Sequence, residues 1–321
     1  MSKSTISDRA GDEMHQGFVR NAGMYLRPRH LAASAWTGHI PFAGWIMLAA
    51  RPQCFVELGT HRGASFLAFA QAVSDYGLET RCNAIDTWSG DEHAGFYGDD
   101  VINALRAEHD SAYGQFSTLM RMTFDQALDE FADGSVDLLH IDGLHTYEAV
   151  RHDFESWLPK LSECGVVLFH DITETGRGFG VWRLWAEIRG KYPTFQFQHA
   201  HGLGIALVGA RPPIAVSRLA SLEADAVDDI RLEFEALGHA IEQQALACQL
   251  ALQLAGVQEG LDEYRGHAEA LEQERKSLVA AAAEMSRANH ALEDSLRLTQ
   301  CELTSVGHQL ASAMHGLDEY R

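Results

Sequence analysis

Apolar positions follow two different rhythms along this chain. Between residues 54 and 208 they come in short runs, each closed by a turn residue and followed by an amphipathic stretch. Cys54 to Leu58, Arg81 to Asp86, Phe116 to Met120, Val136 to Ile141 and Val166 to Phe169 read as buried strands. Ser65 to Val73, Val101 to His109 and Trp182 to Ile188 read as helices between them. The stretch after Asp142-Gly143 puts Val150, Phe154, Trp157 and Leu161 on one helical face. Phe195 to Phe197 and Leu203 to Val208, with a His-Gly turn between, read as a terminal hairpin. Strands alternating with helices predict an α/β fold. The expectation is a Rossmann-like, doubly wound, mainly parallel sheet ending in an antiparallel hairpin.

The second rhythm is helical. From Leu261 apolar and small residues recur in steps of three and four through Tyr264, Ala268 and Leu271 to Leu310 and Tyr320. That spacing predicts a left-handed coiled coil. Asn289 occupies one inward seat, and the hexapeptide GLDEYR at Gly260 returns at Gly316 in the same register. A single amphipathic helix folded back on the domain is the alternative. Residues 1–30 are polar and aperiodic and read as a loose arm. Leu31 to Ala50 reads as a helix ended by Pro52, and Arg211-Pro212-Pro213 closes the α/β region. The expected domains are therefore an arm over 1–30, an α/β domain over 31–213 and a helical tail over 214–321.

Composition narrows the partners. The formal net charge is −20, with 45 acidic against 25 basic residues, which argues against nucleic acid or an anionic membrane surface. Five scattered cysteines with no C-x-x-C pair suit a reducing compartment. No secretory signal and no transmembrane segment is legible, so a cytoplasmic location is expected.

The chemistry gathers at strand ends. Glu57-Leu58-Gly59-Thr60-His61-Arg62-Gly63 joins a strand to a helix, where open α/β sheets bind ligands. Its glycines let the backbone turn and approach a ligand. The spacing is not that of a dinucleotide site, and a plain tight turn would also explain it. Asp86 ends the next strand, placed to accept from ribose hydroxyls. Asp142 and Asp171 end neighbouring strands, with His145 and His170 beside them. Carboxylates suit Mg²⁺, and an imidazole in the set widens the choice towards Mn²⁺. The plainer alternative has Asp142 capping a helix, His145 on a surface loop and His170 bonded in the core. Trp36 and His39 are candidates to cover a cofactor, although an amphipathic core helix would look the same; Asp91, Glu92 and His93 are candidates to shape an acceptor pocket, against the alternative of a solvated acidic loop. Trp182 and Trp185 read as core, and His199 and His201 form no metal set with a cysteine.

The segments VELGTHRGAS, AIDTW and IDGLHTYEAVRHDF resemble the class I S-adenosylmethionine-dependent methyltransferases. The likeness is greatest to the metal-dependent O-methyltransferase branch with the catechol and macrolide-sugar enzymes, and covers roughly residues 31–210. It implies Glu57 and Gly59 at the methionine end of S-adenosylmethionine, with His61 and Gly63 in the same loop. It further implies Ser65 at the carboxylate, Asp86 at the ribose and Thr123 near the adenine. It implies a divalent metal, Mg²⁺ or Mn²⁺, on Asp142 and Asp171, with His170 as a further candidate and His145 as the base. The catechol branch has lysine at the His145 position and Asp-Asn where this chain has His170-Asp171. GFGVWRLW and HAHGLGIALVG resemble domains associated with glycosyltransferases of bacterial surface-polysaccharide synthesis. That implies a small-molecule or glycan acceptor with a sugar hydroxyl and a glycosyltransferase as a further partner; the heptad seam, separately, predicts a homodimer through the coil. The competing expectation is a non-catalytic scaffold, a degenerate methyltransferase domain presenting the coil to a glycan-assembly partner.

Overall fold

The computed structural model describes residues 17–31 and 34–318. The chain divides into two compact units, Met1–Cys248 and Gln249–Arg321. In chain order the strands are β1 (Cys54–Leu58), β2 (Arg81–Asp86), β3 (Gly90–Asp91), β4 (Gly95–Phe96), β5 (Ser117–Arg121), β6 (Val136–Ile141), β7 (Leu161–His170), β8 (Thr194–Phe197) and β9 (Leu203–Leu207). The helices are α1 (Ile40–Ala50), α2 (Ala64–Tyr76), α3 (Asp99–Tyr113), α4 (Phe124–Ala127), α5 (Tyr147–Trp157), α6 (Val181–Ile188), α7 (Ile214–Ala220) and α8 (Ala224–Asp318).

Seven strands form one sheet in the order β5-β2-β1-β6-β7-β9-β8. The first five are mutually parallel, and β9 runs antiparallel to both β7 and β8. The parallel sheet, its covering helices and the terminal hairpin are those expected from the sequence. β3 and β4 form a separate two-stranded ribbon within the acid-rich loop after β2.

Alternation along the strands distributes the core between two faces. Phe55 and Leu138 meet Trp36, Phe69 and α1 on one side. Val56, Leu58, Leu139 and Ile141 meet α5 and α6 on the other. Glu57 and His140 share the face of Phe55 and Leu138, and they stand opposite each other in the β1–β6 register. Two polar groups are thereby placed inside an apolar layer, where each must find a partner.

Three boundaries differ from the sequence reading. Residues 1–16 lie outside the described residues, but the segment from 17 is docked rather than loose. Phe18 stacks on Trp45 at 5.0 Å, and Met24 and Leu26 are buried. Too few apolar side chains stand in that segment to show a period, yet these three suffice to anchor it. The helix expected from Leu31 is α1, preceded by a 3-10 turn over Ala35–His39. Pro41 takes a first-turn position of α1, where its missing N–H costs nothing. Finally, the tail does not separate at residue 214. Val216, Leu219, Ile230, Phe234 and Ile241 are buried in the domain core. Beyond Cys248 the second unit is helical through Asp318, and its side chains are exposed as far as they are described.

Candidate active site

The carboxyl ends of β1, β2, β6 and β7 open on one cavity of about 520 Å³. That is the size range of sites that take small organic ligands. The loop after β1 forms one wall. Gly59 and Gly63 have φ of 89° and 79°, in the left-handed region. A Cβ at Gly59 would run into the Asp142 carbonyl, so the β1 and β6 ends can approach only because this residue is glycine. Asp86 organises the loop from β2. One oxygen accepts from the Thr60 and His61 N–H groups at 3.0 and 2.8 Å, and the other from Trp88 N–H at 2.7 Å. Two carboxylate oxygens offer about four lone-pair positions, so three donors leave room for a ligand hydroxyl.

Gly59, His61, Ser65, Asp86 and Thr123 all face this cavity. Thr123 also closes a capping box with Gln126 at the start of α4. Gly63 caps α2 from behind the wall. Glu57 does not line the cavity. It is fully buried behind Trp36, which does.

The opposite wall carries the acids and imidazoles. Asp142, His170 and Asp171 bring one ligand atom each within 4.8 Å of one another. His145 Nε2 lies 2.8 Å from Asp171 Oδ2 and 3.3 Å from Asp142 Oδ1. His170 Nδ1 lies 3.3 Å from Asp142 Oδ1 and 3.4 Å from Asp171 Oδ2. His170 Nε2 is 3.1 Å from the Ala200 carbonyl. A carbonyl only accepts, so the Nε2 proton is fixed and Nδ1 faces the two acids. Asp142 does not cap the next helix; Thr146 does, accepting from Ala149 N–H. His145 is packed flat against Phe179, ring centres 4.5 Å apart, and is no surface residue.

Charge follows from this geometry. Burial works against a charged His145, but hydrogen bonds and charges from Asp142 and Asp171 push its pKa up to about 9. Burial opposes the His170 cation too, and the same two acids hold it well above the usual histidine range. Burial alone would raise both aspartates. The His170 cation and the bonds from His145 and His170 instead keep them below the usual carboxylate range. His39, buried and close to His170 and His199, is pushed well down and stays neutral.

The structure adds His201, which the sequence reading set aside, and places His39, a candidate cover for the cofactor, behind the cavity wall rather than on it. His201 Nδ1 lies 3.0 Å from Asp171 Oδ1, and its ring faces the cavity. His39 Nε2 shares the Ala200 carbonyl with His170, at 3.1 Å. Strand register accounts for this placement. β9 returns antiparallel to β7 with His170 opposite Leu203, so the turn before it falls beside the β7 end. His93 and Phe179 complete a ring-lined corner next to His145, while Glu92 is not part of the wall. Trp182 is partly exposed and Trp185 buried, and neither lines the cavity. Asp171, His61, Arg177 and His201 combine positive φ with positions on the wall, local strain of the kind that gathers at functional sites.

A parallel sheet with a glycine turn after β1 and an acid closing β2 defines a fold of the Rossmann-like class. Residues 56–172 match the family described as "Methyltransferase domain". Over those residues the chain is similar to a methyltransferase domain. It is 45% identical over 244 residues to "Uncharacterized protein y4gI" of Sinorhizobium fredii (strain NBRC 101917 / NGR234). That alignment covers 76% of this chain and 26% of the relative, so the chain spans about a quarter of that protein's length. Among solved structures it is similar to the O-methyltransferase TomG from Streptomyces achromogenes, involved in tomaymycin synthesis, in complex with SAM. Identity there is 15%, coverage 60% of this chain and 92% of that one, and the TM-score 0.42. Cofactor-bound Rv0187 from MTB shows 18% identity, coverage of 57% and 84%, and a TM-score of 0.43. A methyltransferase from Geobacter sulfurreducens shows 18%, 53% and 77%, and 0.40. No helix among the described residues is long and apolar enough to cross a membrane.

Proposed function

We propose that this chain transfers a methyl group from S-adenosylmethionine to a sugar hydroxyl, with a divalent metal on Asp142, His170 and Asp171. The convergence of those three residues on the cavity that holds the glycine loop and Asp86 carries this reading. The donor set fits a hard cation. Adjacent ligands of an octahedral ion with bonds of about 2.1 Å stand about 3 Å apart. The His170–carboxylate separations are 3.3 and 3.4 Å. The Ala200 carbonyl fixes the tautomer of His170, as partners behind metal-bound histidines do. Mg²⁺ suits the carboxylates, and His170 also admits Mn²⁺.

When bound, S-adenosylmethionine supplies a methyl carbon on a sulfonium, and the metal supplies charge that stabilises a developing oxygen anion. The chain's own residues align and deprotonate the acceptor. Gly59, His61, Ser65, Asp86 and Thr123 orient the donor from one wall. His145 sits across the cavity as the base, held against Phe179. With a pKa of about 9 it keeps its proton at pH 7 while Asp142 and Asp171 are uncompensated. Base function therefore requires the charge of those acids to be engaged elsewhere. The resemblance to glycosyltransferase-associated domains supports a sugar acceptor in bacterial surface-polysaccharide or glycan synthesis, with a glycosyltransferase as partner. It supports a cytoplasmic location as well. An intact site supports an enzyme over a scaffold.

The test incubates the full chain with methyl-labelled S-adenosylmethionine and a panel of nucleotide sugars, with Mg²⁺ or with EDTA. The expected result is label in a stable sugar ether with Mg²⁺ and little or none with EDTA. Equal transfer in EDTA would reject the metal, and label only in a non-sugar acceptor would reject the substrate class.

A further inference from the structure

We infer that Glu57, His140 and Trp36 form a buried hydrogen-bonded relay that sets the Trp36 indole in the cavity wall. Glu57 thereby acts on the cofactor site as a positioning residue, without touching the cofactor. Its consequence for binding rests on the reading of this cavity as the S-adenosylmethionine site.

The geometry fixes the tautomer of His140. Trp36 Nε1–H can only donate, and it lies 3.1 Å from His140 Nε2. That ring nitrogen must therefore accept, which leaves Nδ1 to carry the proton of a neutral imidazole. His140 Nδ1 lies 2.8 Å from Glu57 Oε2, and the carboxyl oxygen accepts. Glu57 and His140 are each 0% exposed, and Trp36 is 1% exposed. Strand register makes the arrangement rigid, because Glu57 and His140 are direct neighbours across β1 and β6 on one face of the sheet.

Only the last member reaches the cavity. Trp36 lines it and Glu57 does not. Trp36 sits on the 3-10 turn Ala35–His39, which is packed into the domain with Trp36, Thr37, Gly38 and His39 buried. Phe69 and His39 flank the indole with ring centres at 5.4 and 5.9 Å, and His140 fixes its N–H. A buried carboxyl whose one described bond goes to His140 is an expensive way to fill an apolar layer. Orienting an imidazole that in turn orients a wall residue gives it a role.

The experiment uses the full chain with its tryptophan indoles labelled with ¹⁵N, alongside calorimetric titration with S-adenosylmethionine. Trp36→Phe assigns the Trp36 indole resonance by its loss. Glu57→Ala should shift that resonance and weaken cofactor binding about five- to tenfold, the scale of one lost hydrogen bond. Glu57→Gln keeps an oxygen for the His140 Nδ1 proton and should restore both the resonance and the affinity. If Glu57→Gln loses affinity like Glu57→Ala while the resonance stays in place in both, Glu57 touches the cofactor directly and the relay is overturned. Should the wild-type chain bind no S-adenosylmethionine, the cofactor reading fails. The resonance then still decides the relay, since a Trp36 signal unmoved by Glu57→Ala disproves it. Where Glu57→Ala does not fold, His140→Gln read by the same resonance takes its place, and an unmoved signal again overturns the relay.

Discussion

At the scale of single residues the site is a contest between burial and charge. His145 shows the sign of it. Its folded pKa is about 9 against an ordinary histidine value near 6.5, so the folded state binds the proton more tightly. The stabilisation is fully present below about pH 6.5 and is lost as pH rises through about 9. Metal-free protein should therefore lose thermal stability between about pH 6.5 and 9, and His145→Gln should flatten that slope. Thermal unfolding across the range, in chelator, checks it; a wild-type curve as flat as that of the variant would refute the assignment. Asp86 is expected to do two jobs. Asp86→Ala strands three loop N–H groups and removes the ribose acceptor. It should lower stability by about 1–3 kcal/mol and S-adenosylmethionine affinity by at least about tenfold. Loss of stability with unchanged affinity would leave Asp86 as a loop organiser only. His201 and the Glu57–His140–Trp36 relay were not legible as chemistry. Their partners come from distant parts of the chain, and pairing across a sheet leaves no mark in local spacing.

At the scale of elements the sequence was most readable where one periodicity dominated. Five apolar runs became the five parallel strands, and turn residues marked their ends. Asp142 and Asp171 were legible as neighbours because each closes such a run. Reading failed where few side chains carry the anchoring, as at Phe18, Met24 and Leu26, and where one helix serves two purposes. The start of α8 belongs to the domain. Phe234 packs among Phe18, Phe42, Trp45 and Phe197, with ring centres between 5.2 and 6.4 Å. Phe234→Ala should cost about 3–5 kcal/mol, the range for a buried phenylalanine. A chain ending at Cys248 should unfold cooperatively, whereas one ending at Pro213 should be aggregated or molten. Calorimetry of the two truncations checks this, and equal stability would return the boundary to residue 214.

At the scale of the whole molecule, residues 249–315 present an apolar seam with no partner among the described residues. Leu271, Leu278, Met285, Leu292 and Leu296 are 64–68% exposed in heptad spacing. Such a seam seeks cover, and Asn289 at an inward seat favours two strands in register. We propose a parallel homodimer through this helix. Light scattering should give twice the chain mass at tens of micromolar, and Asn289→Leu should raise the melting temperature while loosening the oligomeric state. A monomer at that concentration would point to another protein on the seam. The most direct test of the site as a whole is calorimetric titration of the wild-type full chain with S-adenosylmethionine in Mg²⁺. The expected result is one site per chain with a dissociation constant in about the micromolar range. No heat of binding at about 1 mM ligand, with the chain folded, would contradict it.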